Sequence, residues 1–191
     1  MVLLLLLFVS FLVSTAISAP AYAKDNDERI PVVVAFARLH PNRHHTAVQP
    51  EGRVLFLHPE HDDATGLVVY VSAHALDPYQ KYTYHIHENP VMDGVCESAG
   101  AHLDPFHVNT PNTTYHCNPQ QPQLTCELGD LAGKHGPLVS DHYGQARKRM
   151  HEECLDWIGE EGVVGRSVVL HDANNTRIAC GNIHAVWQHF V

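Results

Sequence analysis

The segment KYTYHIHE, residues 81–88, alternates in character: Tyr84 and Ile86 fall on one side of an extended chain, and His85 and His87 on the other. Period two is the signature of a strand with one apolar face, so the segment is expected to lie in a sheet with Tyr84 and Ile86 in its core. The other face then projects two imidazoles side by side. A His-x-His strand of this kind is a two-point chelate for a metal ion, with a merely solvated polar face as the bland alternative.

Other segments share the strand character. IPVVVAFARL (30–39), GRVLFLH (52–58), GLVVYVSAHAL (66–76) and GRSVVLHD (165–172) are rich in β-branched and aromatic residues and separated by turn formers. Short strands at this spacing predict an all-β sandwich or barrel. Residues 89–143 are dense in Pro, Asn, Asp and Gly and form one long loop, a length that in compact domains usually carries function. QARKRMHEECLDWIGEE (145–161) reads differently: it has good helix formers and places Met150, Cys154 and Ile158 four residues apart, which taken locally predicts a helix.

Residues 1–23 carry no charged side chain and contain VLLLLLFVSFLV followed by Ala21-Tyr22-Ala23, the pattern of a cleaved secretory signal. That leaves residues 24–191 as one domain, with no further segment apolar enough to span a membrane. All five cysteines lie between Cys96 and Cys180, so in an oxidising compartment disulfides are expected with one thiol left over. Cys117 and Cys126 flank a loop and are a candidate pair, with Cys154 as the odd thiol; Cys154 pairing with either remains open. Sequons at Asn112 and Asn174 are candidate glycosylation sites. A formal charge of −9 with no basic stripe disfavours nucleic acid as a partner.

Three pieces, HIHE (85–88), CESAGAHLDP (96–105) and GRSVVLHDANNTRIACGNI (165–183), together resemble the copper-zinc superoxide dismutase family. The resemblance implies a Greek-key β-sandwich or barrel. It implies copper ligation by His85, His87, His102 and His171, an anion-holding arginine at Arg177, and a disulfide between Cys96 and Cys180. It also implies a strand rather than a helix after Gly144, although Lys148 then falls on an inward face.

Two departures narrow the resemblance to the secreted copper-only branch. Only DANNT separates His171 from Arg177, so the family's electrostatic loop is missing. In CELGDLAGKHG (126–136) Asp130 is kept, while Glu127 stands where a zinc-binding histidine would be. The branch implies one copper per chain, no zinc, and a secreted monomer that dismutes superoxide outside the cell. Without zinc, the second nitrogen of His102 needs another partner, and Glu127 is the candidate. Asp130 is expected to be a structural acceptor. Two alternatives stand beside this reading: a non-catalytic copper-binding or copper-delivery domain on the same fold, and a copper-zinc enzyme whose displaced zinc site uses His102 with His107 or His116 and Asp130. The remaining histidines are expected to be solvated.

Overall fold

The computed structural model describes residues 33–45, 48–59, 65–111 and 114–186. The segment read as a secretory signal and the sequon at Asn112 lie outside these. Eight strands form a single antiparallel sheet: β1 (Val33–Pro41), β2 (Glu51–Leu57), β3 (Leu67–His74), β4 (Lys81–His87), β5 (Leu138–Val139), β6 (Ala146–Glu152), β7 (Ser167–His171) and β8 (Arg177–Ala185). Their order is β5-β4-β7-β8-β1-β2-β3-β6, and β5 touches β6, so the sheet curls into a nearly closed barrel. The chain runs a meander through β1, β2 and β3, then crosses the barrel to β4, which gives the Greek-key character.

Alternation builds the core. Val54 and Phe56 of β2, Val69, Val71 and Ala73 of β3, and Tyr84 and Ile86 of β4 point inward and are buried, while Arg53, Tyr70, Ser72 and His74 point out. Burying a side chain of this size contributes roughly 1.5–3 kcal/mol. Tyr84 is fully buried and donates its hydroxyl hydrogen bond to the Gly136 carbonyl at 3.2 Å, and burial raises its pKa further above the usual phenol value.

The helix expected over residues 145–161 is absent. Ala146–Glu152 is instead β6, paired with β3 in register from Leu67↔Glu152 to Ala73↔Ala146. The alternation was present but disguised, because two of its inward positions are charged. Lys148 leans inward and its Nζ donates to the Pro137 carbonyl at 3.4 Å, while the buried Glu152 carboxylate is matched by Lys134 Nζ and His135 Nε2. An inward charge is tolerated only with such partners. Beyond β6, Cys154 is half-buried and Ile158 exposed, so the apolar spacing that suggested a helix face does not form one.

Residues 89–143 are not one structureless loop. They contain a 3-10 turn at Cys96–Ala99, two short helices, α1 (Pro122–Thr125) and α2 (Leu131–His135), and β5. Disulfides join Cys96 to Cys180 and Cys117 to Cys126, and Cys154 is free. The first closes an 84-residue separation, which in a chain-entropy account is worth roughly 4.5 kcal/mol. No helix among the described residues is long and apolar enough to cross a membrane.

Candidate metal centre

β4 delivers His85 and His87, and β7 ends on His171. The loop supplies the fourth imidazole by zipping along the edge of β4 that the short β5 leaves uncovered. Glu88 N donates to Ala101 O at 3.0 Å, Leu103 N to Ile86 O at 2.9 Å, and His102 bridges His87. A third layer follows, Ile86 N to Gly129 O at 2.9 Å and Gly129 N to Leu103 O at 2.7 Å. Gly129 must lack a side chain here, because a Cβ would lie 2.2 Å from the Ile86 carbonyl oxygen.

The loop therefore covers the face that the sequence left as either chelating or solvated. His85, His87 and His171 are buried, and only His102, with 25% of its side chain exposed, meets solvent. One ligand atom from each of the four lies within 4.8 Å of all the others.

Hydrogen bonds assign the donor nitrogen of each ring. His87 Nδ1 donates to Gly100 O at 3.0 Å, and His171 Nδ1 to Asn175 O at 3.3 Å, which turns both Nε2 lone pairs inward, 3.4 Å from each other. His102 Nδ1 is taken by the Glu127 carboxylate, leaving its Nε2. His85 presents Nε2 to Asp130 Oδ1 at 3.5 Å, while its buried Nδ1 has no hydrogen-bond partner. An unpaired buried polar atom costs about 1–3 kcal/mol, and facing lone pairs repel; a cation at their centre relieves both. Imidazole donors suit copper or zinc rather than a hard oxygen-seeking ion.

Electrostatics keeps the lone pairs available. Burial, followed by the neighbouring imidazoles and Arg177, pushes His87 down to about 3. Burial pushes His171 down to about 4, and His85 still lower, well below the usual imidazole range. These three are neutral bases at physiological pH. Glu127 is held below the ordinary carboxylate range, since hydrogen bonds from His102 and Asn109 outweigh the opposing effect of burial.

The two loop carboxylates are fixed by one phenol. Tyr115 donates to Asp130 Oδ2 at 2.7 Å and accepts from Glu127 N at 3.0 Å, while Asn109 Nδ2 donates to Glu127 Oε1 at 2.6 Å. Asp130 also caps α2 by accepting from Gly133 N at 2.7 Å. Its oxygens are thus engaged by loop backbone and side chain. His107 and His116 are exposed, and among the described residues the four-histidine group is the one metal-binding cluster that assembles. A second site built from His102, His107 or His116 and Asp130 does not form there.

Arg177 begins β8 on the far side of a tight turn. Asp172 Oδ1 accepts from Asn174 N at 2.9 Å and Thr176 N at 2.8 Å, and Asn175 takes a left-handed φ of 62°. This turn makes DANNT long enough to return the chain beside His171, and it leaves Asn174 exposed. The guanidinium is half-buried and donates to Cys96 O at 2.8 Å and Gly100 O at 2.7 Å. Gly100 O thus holds both His87 and Arg177. Gly100 sits at φ 76°, and a Cβ there would meet Asn89 Nδ2 at 2.4 Å. The buried Asn42 secures the same region, donating to Arg177 O at 2.7 Å and accepting from Cys96 N at 3.2 Å.

Asn42, Asn109 and Tyr115 were not singled out by sequence reasoning. A tyrosine alone in a loop of Pro, Asn and Thr was a signal for Tyr115; nothing in HPNRHH (40–45) distinguishes Asn42 from any other turn asparagine.

Residues 50–183 match the copper/zinc superoxide dismutase (SODC) family. The chain is 38% identical over 110 residues to a cell surface Cu-only superoxide dismutase of Arthroderma benhamiae, covering 55% of this chain and 28% of that protein. It is 35% identical over 107 residues to cell surface superoxide dismutase [Cu-Zn] 4 of Candida albicans, covering 53% of this chain and 40% of the relative. The match therefore spans less than half the length of these relatives. Superoxide dismutase 5 of Candida albicans, solved as its Cu(II) form, superposes with a TM-score of 0.62 at 23% identity, over 84% of this chain and 97% of that one. With the fold, the four-histidine copper-type site and the match to residues 50–183 in agreement, the chain belongs to the copper/zinc superoxide dismutase family.

Proposed function

We propose that the protein is a secreted, copper-only superoxide dismutase that converts two superoxide anions and two protons to dioxygen and hydrogen peroxide. The observation that carries the reading is the convergence of four imidazole lone pairs, one of them the orphaned Nδ1 of His85, beside a guanidinium anchored on backbone carbonyls. His85, His87, His102 and His171 would hold one copper, which supplies the alternation between two oxidation states that dismutation needs. Zinc is not part of the proposal, because His102 Nδ1 already has Glu127 as its partner and Asp130 is engaged by Tyr115 and Gly133.

Arg177 binds and orients the anion. Two of its N–H groups are spent on Cys96 O and Gly100 O, which fixes the plane of the fork and leaves further donors for superoxide. Its charge, half-withdrawn from water, attracts a small anion to a protein that is negative overall. Glu127 positions His102, the most exposed of the four rings, and solvent reaching that side is the source of protons. The open approach past His102 takes the place of a guiding loop. Residues 1–23 would direct the domain of residues 24–191 outside the cell, consistent with its two disulfides, as a monomer carrying sugar at Asn112 and Asn174.

The test is metal analysis of the purified protein after copper and zinc are offered together, with superoxide turnover measured on the same sample. One copper, negligible zinc and rapid turnover are expected. Copper without turnover would make this a copper-binding or copper-delivery domain, and stoichiometric zinc would refute the copper-only assignment.

A further inference from the structure

The metal centre occupies the β4–β7 wall of the barrel. The opposite wall, formed by β1, β2, β3 and β6, carries a feature the reaction does not use. Register places Arg38 directly opposite Arg53, Arg53 opposite Ser72, and Ser72 opposite Arg147, so one straight row across four strands bears three arginines. All three are exposed. The next row sets Phe36, Leu55, Tyr70 and Arg149 in line, with the Arg149 guanidinium 5.6 Å from the centre of the Tyr70 ring.

Such a row is unfavourable in isolation. Like charges directly opposite on neighbouring strands have Cβ atoms about 5 Å apart and destabilise the pair. No carboxylate among the described residues forms an ion pair with Arg38, Arg53 or Arg147. Arg147 Nη2 meets only the neutral Gln145 Oε1, at 3.4 Å. A chain whose net charge is −9 has acids in excess to neutralise a chance cluster, yet among the described residues of these four strands Glu51 is the one exposed carboxylate.

We propose that this face docks a linear anionic polysaccharide bearing sulfate or phosphate esters. Strands lie about 4.8 Å apart, about the length of one sugar ring, so Arg38 and Arg53 stand one such step apart and Arg147, beyond Ser72, two steps further, and a chain laid across the strands meets all three in turn. Guanidinium forks bind such esters by paired hydrogen bonds. The partly exposed Tyr70 ring, 41% accessible, adds a flat platform beside the row. An extended peptide is disfavoured because β1, β2 and β3 are paired on both sides and offer no backbone edge. A membrane surface is disfavoured because, among the described residues of these strands, Tyr70 is the one exposed large hydrophobic and Phe36 and Leu55 beside it are half-buried.

The full secreted chain, loaded with copper, is tested for binding to immobilised dextran sulfate, with uncharged dextran and phosphatidylserine vesicles in parallel. Salt-sensitive binding to dextran sulfate alone is expected. Arg38→Gln, Arg53→Gln and Arg147→Gln should each weaken it roughly fivefold, and the triple variant about a hundredfold. Superoxide turnover of the triple variant should match the parent, because the row is on the wall away from the histidines. Arg43→Gln, on the loop after β1, should bind normally. Absence of binding, equal binding by the triple variant, or tighter binding to the vesicles would overturn the proposal. The single variants keep the test decisive if the triple variant misfolds.

Discussion

The copper-free protein should lose stability steeply between pH 7 and pH 5.5. His85, His87 and His171 are held neutral in the folded chain, with His87 pushed down to about 3 and His171 to about 4, whereas an unfolded histidine titrates near 6.5. As pH falls below 6.5 the unfolded chain takes up protons that the folded chain refuses, so the equilibrium moves toward unfolding. The contribution of these groups is fully present above pH 6.5 and is lost progressively down to the folded values. Over the interval to pH 5.5 the cost is about 1 kcal/mol for each histidine, hence about 3 kcal/mol for three. For a domain of this size that is a fall in Tm of roughly 10 °C. Glu127 does not confuse the measurement. Its folded pKa is depressed, so its contribution is present above about pH 4.5 and fades only at more acidic values. The assay is calorimetry of chelator-treated protein with its disulfides intact, at several pH values. The His87→Gln variant, lacking one of the three groups, should lose about a third of the slope. A Tm that stays flat across this interval, or a slope unaltered in His87→Gln, would show that the cluster does not exclude protons as its burial requires.

Three further outcomes follow from the supports of the site. Asn42→Ala removes the amide that joins Arg177 O to Cys96 N; urea denaturation should show a loss of about 2–3 kcal/mol, and turnover should fall while copper content is retained. Gly100→Ala forces a Cβ into a left-handed, crowded position and displaces the carbonyl shared by His87 and Arg177. About 1–3 kcal/mol of stability should go, and both copper affinity and turnover should drop in the same variant. Tyr115→Phe leaves Asp130 Oδ2 and Glu127 N without their common partner, a cost of about 1–3 kcal/mol by denaturation, and copper should dissociate faster as Glu127 loosens its hold on His102.

Much of this architecture is legible in the chain because it is repeated. Strands β1, β2, β3 and β7 announce themselves through runs of β-branched and aromatic residues and β4 through alternation, and His85, His87, His102, His171 and Arg177 stand in blocks with fixed spacing. What is hidden lies where one residue's character is set by a distant partner. β6 looks helical because its inward Lys148 and Glu152 make sense only once Pro137, Lys134 and His135 are beside them. β8 begins on Arg177, which reads as chemistry rather than as strand. The burial of the histidine face follows from a loop whose layering at Gly129 is a contact between residues more than forty apart in sequence. Asn42 and Tyr115 act through hydrogen bonds of the same long-range kind, which no local pattern encodes.

The carbonyl of Gly100 has one more consequence. Because the ring of His87 and the guanidinium of Arg177 both hang from a single peptide group, their separation is set by one rigid plane and not by the accumulated slack of a loop. That peptide follows directly on the turn stapled by Cys96 to Cys180. Cutting the staple should loosen the His87 ring and the Arg177 guanidinium together, while strands β4 and β7 go on holding His85 and His171. A chain kept in a reducing compartment should therefore carry the same side chains with a looser arrangement and slower turnover than the oxidised chain, which assays of reduced and oxidised protein would compare.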